Sequence, residues 1–470
     1  MERKLVILSG MRTIDRKDRR KYRLASLAQA LLCLLLAVAL PLSGSASPSD
    51  GAPPFYVHLP LLLRHVPYVE SKGQPDPSFD GDGRAVVSLT ATNDEGLSLA
   101  VQRDGKLLVG GEVGVEGVDL DMAVARFNLD GSLDYTFGGY GWVRTDLEGE
   151  DDAASDILVQ PDGKILQSGS SDGAFALVRY NPDGTLDTTF SEDGWVRTDL
   201  SVLYEDESKA IAVQPDGKII IAGYSLEGSY YNFAMVRYLA DGSLDTAFGN
   251  NGLVTTDLTG DQDQAQAIII LPNGKIILAG SVKRDAPYFR DFGLVRYLSN
   301  GTVDTTFGTN GLVITDIDGG RDFAYSALLQ PDGKIVAAGT AQDGSLGDYD
   351  FALARYNANG SLDTSFGGDG TVVTDFNAGE DYGYDVVMQP NGKLIVAGYV
   401  DNGSGSDFAL VRYLPGGSLD TGFGSIGRVI TDLGGVDLGL ALALLLDGRL
   451  ILAGNTDVSS DVDFALACYK

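Results

Sequence analysis

The sequence predicts an all-β fold. The expected form is a seven-bladed β-propeller of four-stranded blades, its ring closed by the N-terminal strand and preceded by a signal helix. Three observations predict it. A hairpin signal recurs as RDGK at 103–106, PDGK at 161–164, PDGK at 215–218, PNGK at 272–275, PDGK at 331–334, PNGK at 390–393 and LDGR at 446–449. Asp-Gly or Asn-Gly between two apolar runs is the strongest short-range hairpin signal. Successive copies lie 58, 54, 57, 59, 59 and 56 residues apart, a period that means stacked or ringed repeats. Glycine supplies 61 of 470 residues, well above the usual share of about 7%, and no helix-length window shows a helical period.

The amino terminus reads as an export signal. Residues 1–23 hold nine Lys and Arg, an apolar stretch runs from Leu24 to Leu42, and small residues follow at Ser43, Gly44, Ser45, Ala46 and Ser47. Gly44 and Ala46 suit the −3 and −1 sites for cleavage after Ala46. The apolar run also has the length to span a bilayer, so an uncleaved signal anchor is the alternative, and it is the only membrane attachment expected. Residues 1–46 are therefore assigned to the signal and 47–73 to a linker, with an apolar patch at 54–69. The protein is expected to be secreted or at the cell surface.

Charge narrows the partners. The chain carries 35 Lys and Arg against 65 Asp and Glu, a net −30. Without residues 1–46 the balance is 26 to 62, a net −36. A nucleic-acid-binding protein needs a basic footprint, so nucleic acid is not an expected partner. Cys468 would be the only cysteine left, which rules out an intramolecular disulfide.

The repeats occupy 74–470. In the third unit the four strands are AIAVQ (210–214), KIIIAG (218–223), FAMVRY (233–238) and LVTTDL (253–258). Small residues suit AIAVQ to the crowded innermost position, and Thr and Asp suit LVTTDL to the outer edge. The last unit stops after its third strand, at FALACYK (464–470), while a spare outer strand, RAVVSL (84–89), precedes the first. The N-terminal strand is expected to complete the seventh blade.

Segments such as DFALVRYLPGGSLDTGFG (407–424) and YDFALARYNANGSLDTSFGGDG (349–370), with the PDGK hairpins, resemble the delta-60 repeat family of exported bacterial proteins. The resemblance implies a secreted or surface repeat domain and carries no activity with it. The order of strand, hairpin and strand is also similar to sugar-lactone hydrolases and NHL-type interaction propellers, in architecture alone.

Several residues recur. A Leu-Asp-x-x-Phe-Gly segment places Asp76, Asp134, Asp187, Asp245, Asp304, Asp363 and Asp420 three residues before Phe79, Phe137, Phe190, Phe248, Phe307, Phe366 and Phe423. Third strands carry Arg126, Arg179, Arg237, Arg296, Arg355 and Arg412, with Cys468 in the seventh place. The bland reading is Phe packed between blades and one Arg–Asp ion pair per blade; the functional reading is a ring of ligand-binding arginines.

Ten residues before each hairpin Asp or Asn stand Asp94, Asp152, Asp206, Asp263, Asp322, Asp381 and Asp437, on the connection that leads to each innermost strand. They are the candidate ligand or cation face. Either each caps its own turn, or together they ring the channel mouth and hold a cation such as Ca²⁺. No spaced calcium loop of the EF-hand type is present. The variable loops 224–232, 281–291 and 340–350 open on the same face, where binding is expected.

Both histidines, His58 and His65, precede the repeats, which excludes a Ser-His-Asp triad, a Cys-His pair and a His-ligated zinc from the propeller. The leading expectation is a noncatalytic extracellular propeller, a monomer, that binds a protein, glycan or cation through its loop-bearing face. The alternatives are a carboxylate- or calcium-dependent hydrolase or lactonase with its site at the channel, and a passive surface or adhesion scaffold. No cofactor is expected beyond a possible calcium ion.

Overall fold

The structure is a computed structural model that describes residues 68–470 apart from 116–118, 148–150, 202–204, 284–288, 345–346, 377–378, 404 and 459–460. The signal assigned to 1–46, most of the linker and most of the apolar patch lie outside the described residues.

The described chain forms seven four-stranded antiparallel sheets and no helix. Blades 1 to 6 span 94–145, 152–198, 206–256, 264–315, 322–374 and 381–431, each in simple strand order from the inside out. In blade 3 the strands are Asp206–Val213, Ile219–Glu227, Tyr230–Tyr238 and Leu253–Thr256. The first strands of successive blades contact one another around the ring, so they are the innermost, as their small residues foretold.

Blade 7 combines three C-terminal strands with Arg84–Val87, which pairs antiparallel to Asp463–Tyr469. The N-terminal strand therefore clasps the ring. The docking extends upstream. Residues 68–73, assigned to the linker from sequence, bond to blades 6 and 7: Val69 N donates to Asp447 O at 2.9 Å, and Lys72 N donates to Lys470 O at 3.0 Å.

One fastening repeats on the hairpin face. Arg126 Nε bonds Asp134 at 2.7 Å, its Nη1 donates to the Pro182 carbonyl of blade 2 at 2.5 Å, and its guanidinium lies 4.6 Å from the centre of the Phe137 ring. The same three contacts recur from Arg179, Arg237, Arg296 and Arg355, each reaching the next blade. Arg412 makes the last set, with Asp420, Phe423 and the carbonyl of Ser71. The hairpin lysines add a second cation to each aspartate, as Lys275 does to Asp304 at 2.7 Å. Burial opposes ionisation of Asp304, but Lys275, Thr306 and Arg296 outweigh it and hold the carboxyl well below its usual range. In blade 7 Cys468 replaces the arginine, and Asp76 is served by Lys470 at 3.2 Å and Arg449 at 3.6 Å.

Each phenylalanine also packs on a glycine of the next blade. A Cβ on Gly301 would stand 3.0 Å from Phe248, and one on Gly131 would stand 3.1 Å from Phe79. Both glycines have φ near +90°, where a side chain is strained as well as crowded. Gly73 takes the seventh place, against Phe423. At six junctions a third-strand tyrosine also bonds the outer-strand threonine of the preceding blade, as Tyr356 does to Thr315 at 2.9 Å. The recurring Arg, Asp and Phe are thus engaged in holding blades together.

Candidate functional site

The seven aspartates stand together on the loop-bearing face, at or next to the first residue of each innermost strand. All are buried. Each uses Oδ2 to accept a backbone N–H from the turn before it. The donors are Leu89 and Thr90 for Asp94, Leu147 for Asp152, Leu200 for Asp206, Leu258 for Asp263, Ile317 for Asp322, Phe376 for Asp381 and Leu433 for Asp437. Turn capping is therefore the role common to all seven, and they line the blade junctions rather than an open ring. Burial raises every one of these carboxyls, and takes Asp322 and Asp381 up to about 7.

Alternation explains their burial. Residues 1 and 2 of the innermost strand lie on opposite faces of the sheet; residue 1 is buried and residue 2 remains part-exposed in every blade. Residue 3 is Gly, Ala or Ser in every blade. Residue 4 sits in a β-bulge in all seven innermost strands, which re-aims its side chain. These bulged residues are Leu97, Ser155, Lys209, Gln266, Tyr325, Tyr384 and Leu440. Leu97, Tyr325, Tyr384 and Leu440 pack in one cluster, although blades 1 and 5 are not neighbours. They link blades 5, 6, 7 and 1, which follow one another around the ring. One side of the channel is therefore apolar and aromatic, and the side of blades 2 to 4 carries Ser155, Lys209 and Gln266.

The aromatic side is a feature the sequence reading missed. Blades 5 and 6 place Phe323, Tyr325, Tyr382 and Tyr384 at residues 2 and 4, and Tyr349 and Tyr399 join them from the strands alongside. Ring centres lie 4.8 Å apart for Tyr325 and Tyr384, 5.3 Å for Tyr349 and Tyr382, and 5.1 Å for Tyr382 and Tyr399. Phe323, Tyr349 and Tyr382 remain part-exposed. Arg290 stands 5.7 Å from the Phe323 ring and bonds Gln264 at 2.9 Å; Glu380 accepts the Tyr382 hydroxyl at 2.5 Å. Blade 3 adds Lys209, paired with Glu207 at 2.8 Å and 5.5 Å from the Tyr224 ring. Aligning residues 2 and 4 across the repeats would have exposed the substitution.

Two further acids lie deeper. Asp156 and Asp385 follow the bulge in blades 2 and 6 and are fully buried. Asp156 accepts N–H groups of Ile157 at 2.6 Å and, in blade 3, Ile211 at 3.0 Å. Asp385 accepts from Val386, from Ser326 of blade 5 and from Leu442 of blade 7, each at 2.8 Å. Burial raises Asp156 to about 8 and Asp385 to about 7. Their oxygens are committed to joining blades. Cys468 is buried too, and burial pushes its thiol up to about 12, which suits a packed side chain and not a nucleophile.

Six units match the family described as a domain of unknown function (DUF5122) β-propeller, over residues 102–137, 160–190, 214–248, 271–307, 330–366 and 389–423. These units are propeller-family repeats. The match supports the propeller repeat and does not extend to the delta-60 name. No curated protein matches the chain. Similar solved structures include Sqt1 from Chaetomium thermophilum, with 12% identity, TM-score 0.44, and coverage of 85% of this chain and 99% of that one. The β-propeller domain of the Trilobed protease from Pyrococcus furiosus has 11% identity, TM-score 0.45, and coverage of 81% and 95%. A gluconolactonase from Xanthomonas campestris has 11% identity, TM-score 0.34, and coverage of 70% and 94%. Enzymes and non-enzymes stand side by side in this set, and likeness at this distance carries no functional argument.

Proposed function

We propose that this chain is a noncatalytic extracellular propeller that binds a glycan at the aromatic side of its channel mouth. One observation carries the reading. The seven blades share their structural residues, but only blades 5 and 6 place aromatic side chains at residues 2 and 4 of the innermost strand. They do so beside the variable loops. Part-exposed tyrosine rings offer flat apolar faces to the C–H side of a sugar, and phenolic hydroxyls, Arg290 and Glu380 offer partners to its hydroxyls.

The noncatalytic part rests on chemistry. No histidine stands in the repeats, Cys468 is buried, and the two deepest acids are fully engaged by backbone amides. The export signal read in residues 1–46 supports a location outside the cell. A glycan panel with calorimetry tests this directly. Saturable binding should fall at least tenfold in Tyr382→Ala and Tyr349→Ala, and glycoside or lactone substrates should turn over no faster than in buffer. Turnover lost in the same variants would overturn the noncatalytic reading, and binding unchanged in both would overturn the site.

A further inference from the structure

The hairpin end of the channel carries an apolar collar. The innermost strands end in Val101, Val159 and Val213 in blades 1 to 3, and in Ile270, Leu329, Met388 and Leu444 in blades 4 to 7. All seven residues are apolar and none is buried. Innermost strands of successive blades contact one another, so their ends surround the channel mouth without a gap. A closed ring of part-exposed apolar residues differs from the single ones that a folded surface carries as a matter of course.

The N-terminal segment arrives beside this collar. Lys72 N donates to Lys470 O, just past the third strand of blade 7. Two residues upstream, Glu70 pairs with Lys393 of the blade 6 hairpin at 2.5 Å and with Arg412 at 3.1 Å. Val69 N then donates to Asp447 O of the blade 7 hairpin, in the turn that directly follows the strand ending at Leu444. Followed from Lys72 to Val69, the backbone passes from the third strand to the hairpin between the first two, which is toward the channel. Apolar side chains lie uncovered where it ends. Val69 is 67% exposed and Leu446 is 64% exposed. Leu446 is also out of pattern, since it opens the blade 7 hairpin where the other blades have Pro or Arg.

The sequence upstream suits such a surface. Residues 54–67 read PFYVHLPLLLRHVP, with eight large apolar side chains, Arg64 and no acid. A segment without acids approaches an otherwise strongly acidic domain without repulsion. Sheets packed face to face stand about 10 Å apart, so a ring of seven innermost strands is at most about 22 Å across. Fourteen extended residues reach up to about 46 Å, enough to cross it. We propose that residues 54–67 fold back over the hairpin-side mouth of the channel and pack their apolar side chains on the collar. A second copy or a membrane must compete with a tethered segment, whose effective concentration is of millimolar order. The channel is then closed on the hairpin side and open only at the loop face. This proposal does not depend on the glycan reading, and its test involves no sugar.

The test uses the full chain with its own amino terminus. A photoreactive phenylalanine analogue in place of Leu62 is activated in dilute protein, and the crosslinks are located by peptide mapping. They are expected within one chain, on peptides that hold the ends of the innermost strands, Leu444 among them. Val101→Asp places a charge on the collar at an exposed residue, so it should lower the crosslink yield about threefold and leave the ring folded. Leu61→Asp, Leu62→Asp and Leu63→Asp, combined in a separate variant, should raise the fluorescence of a bound apolar dye severalfold while the circular dichroism of the sheets is kept. Crosslinks formed only between chains would give the collar to a second copy. Crosslinks that need added phosphatidylglycerol vesicles would give it to a membrane. Either result, the lack of any crosslink to the hairpin face, or unchanged dye binding in the triple variant would overturn the proposal.

Discussion

If the N-terminal segment is an integral part of blade 7, Phe79→Ala should destabilise the ring as much as Phe307→Ala does. Phe79 lies at the N-terminal end of the repeats, and it is 0% exposed and packs with Leu99, Leu107 and Phe127 of blade 1 and with Phe464 and Leu466 of blade 7. Its ring abuts Gly131, and the next residue, Asp80, donates its N–H to Asp130 O at 2.7 Å. Phe307 has the equivalent environment between blades 4 and 5, against Gly360. Truncating a buried phenylalanine costs about 3–5 kcal/mol. A loosely docked segment sets a ceiling on that cost: the loss cannot exceed the free energy at which the segment detaches. Equal costs therefore mean firm docking. Urea unfolding followed by the fluorescence of Trp142 and Trp195 measures both variants on one scale. A cost below about 1 kcal/mol for Phe79→Ala, beside 3–5 kcal/mol for Phe307→Ala, would refute the clasp as a structural element.

Two further outcomes follow from buried groups. Burial raises Asp322, Asp381 and Asp385 to about 7 and Asp156 to about 8, so the folded state holds protons that the unfolded state releases near pH 4. Their contribution is complete below about pH 4 and is lost as pH rises toward 8, whereas the lowered carboxyls of Asp187, Asp304 and Asp363 contribute above about pH 4. Melting in EDTA should therefore be higher at pH 5 than at pH 8, with a flatter profile in the Asp156→Asn, Asp385→Asn double variant; a profile that rises to pH 8 contradicts the assignment. Cys468 should resist alkylation at pH 8 in the native protein and react at once in denaturant, as peptide mapping would show; rapid native labelling would place the thiol at the surface.

The fold was legible because its signals multiply by seven. A single Asn-Gly or Leu-Asp-x-x-Phe-Gly is ambiguous, but recurrence fixed the blade, and the missing last strand fixed the closure. The Arg126 and Asp134 pair was readable in the same way, since both members recur at a constant distance. The groups of three carboxylates at four blade junctions, such as Asp291, Asp316 and Asp322, were half legible. Asp291 and Asp316 are 25 residues apart, as are Asp121 and Asp146, Asp350 and Asp375, and Asp407 and Asp432. That spacing pairs positions on adjacent strands, but only the stacking of blades shows that Asp322 of the next unit closes the group. The seven aspartates were read as a mouth because they precede the innermost strands. A one-residue step decides the matter: Asp322 is buried at the junction, and Phe323, on the opposite face of the strand, is part-exposed. The tyrosines of blades 5 and 6 passed as ordinary strand residues, since aromatic side chains suit any half-buried strand.

The two faces of the ring do different work. On the hairpin face Arg355 joins Asp363, Phe366 and the Pro415 carbonyl, and its counterparts do the same in five other blades. Each aspartate there meets two cations, so its charge is an attractive force between blades. Ion pairs described on the loop face follow no such common pattern: Arg144 pairs with Asp121, Arg197 with Asp172 and Lys283 with Asp261. Four junctions there bring three carboxylates each close together, one of them Asp291, Asp316 and Asp322. The same division frees the loop face to diverge, and blades 5 and 6 have diverged there while keeping Arg355 and Arg412 below.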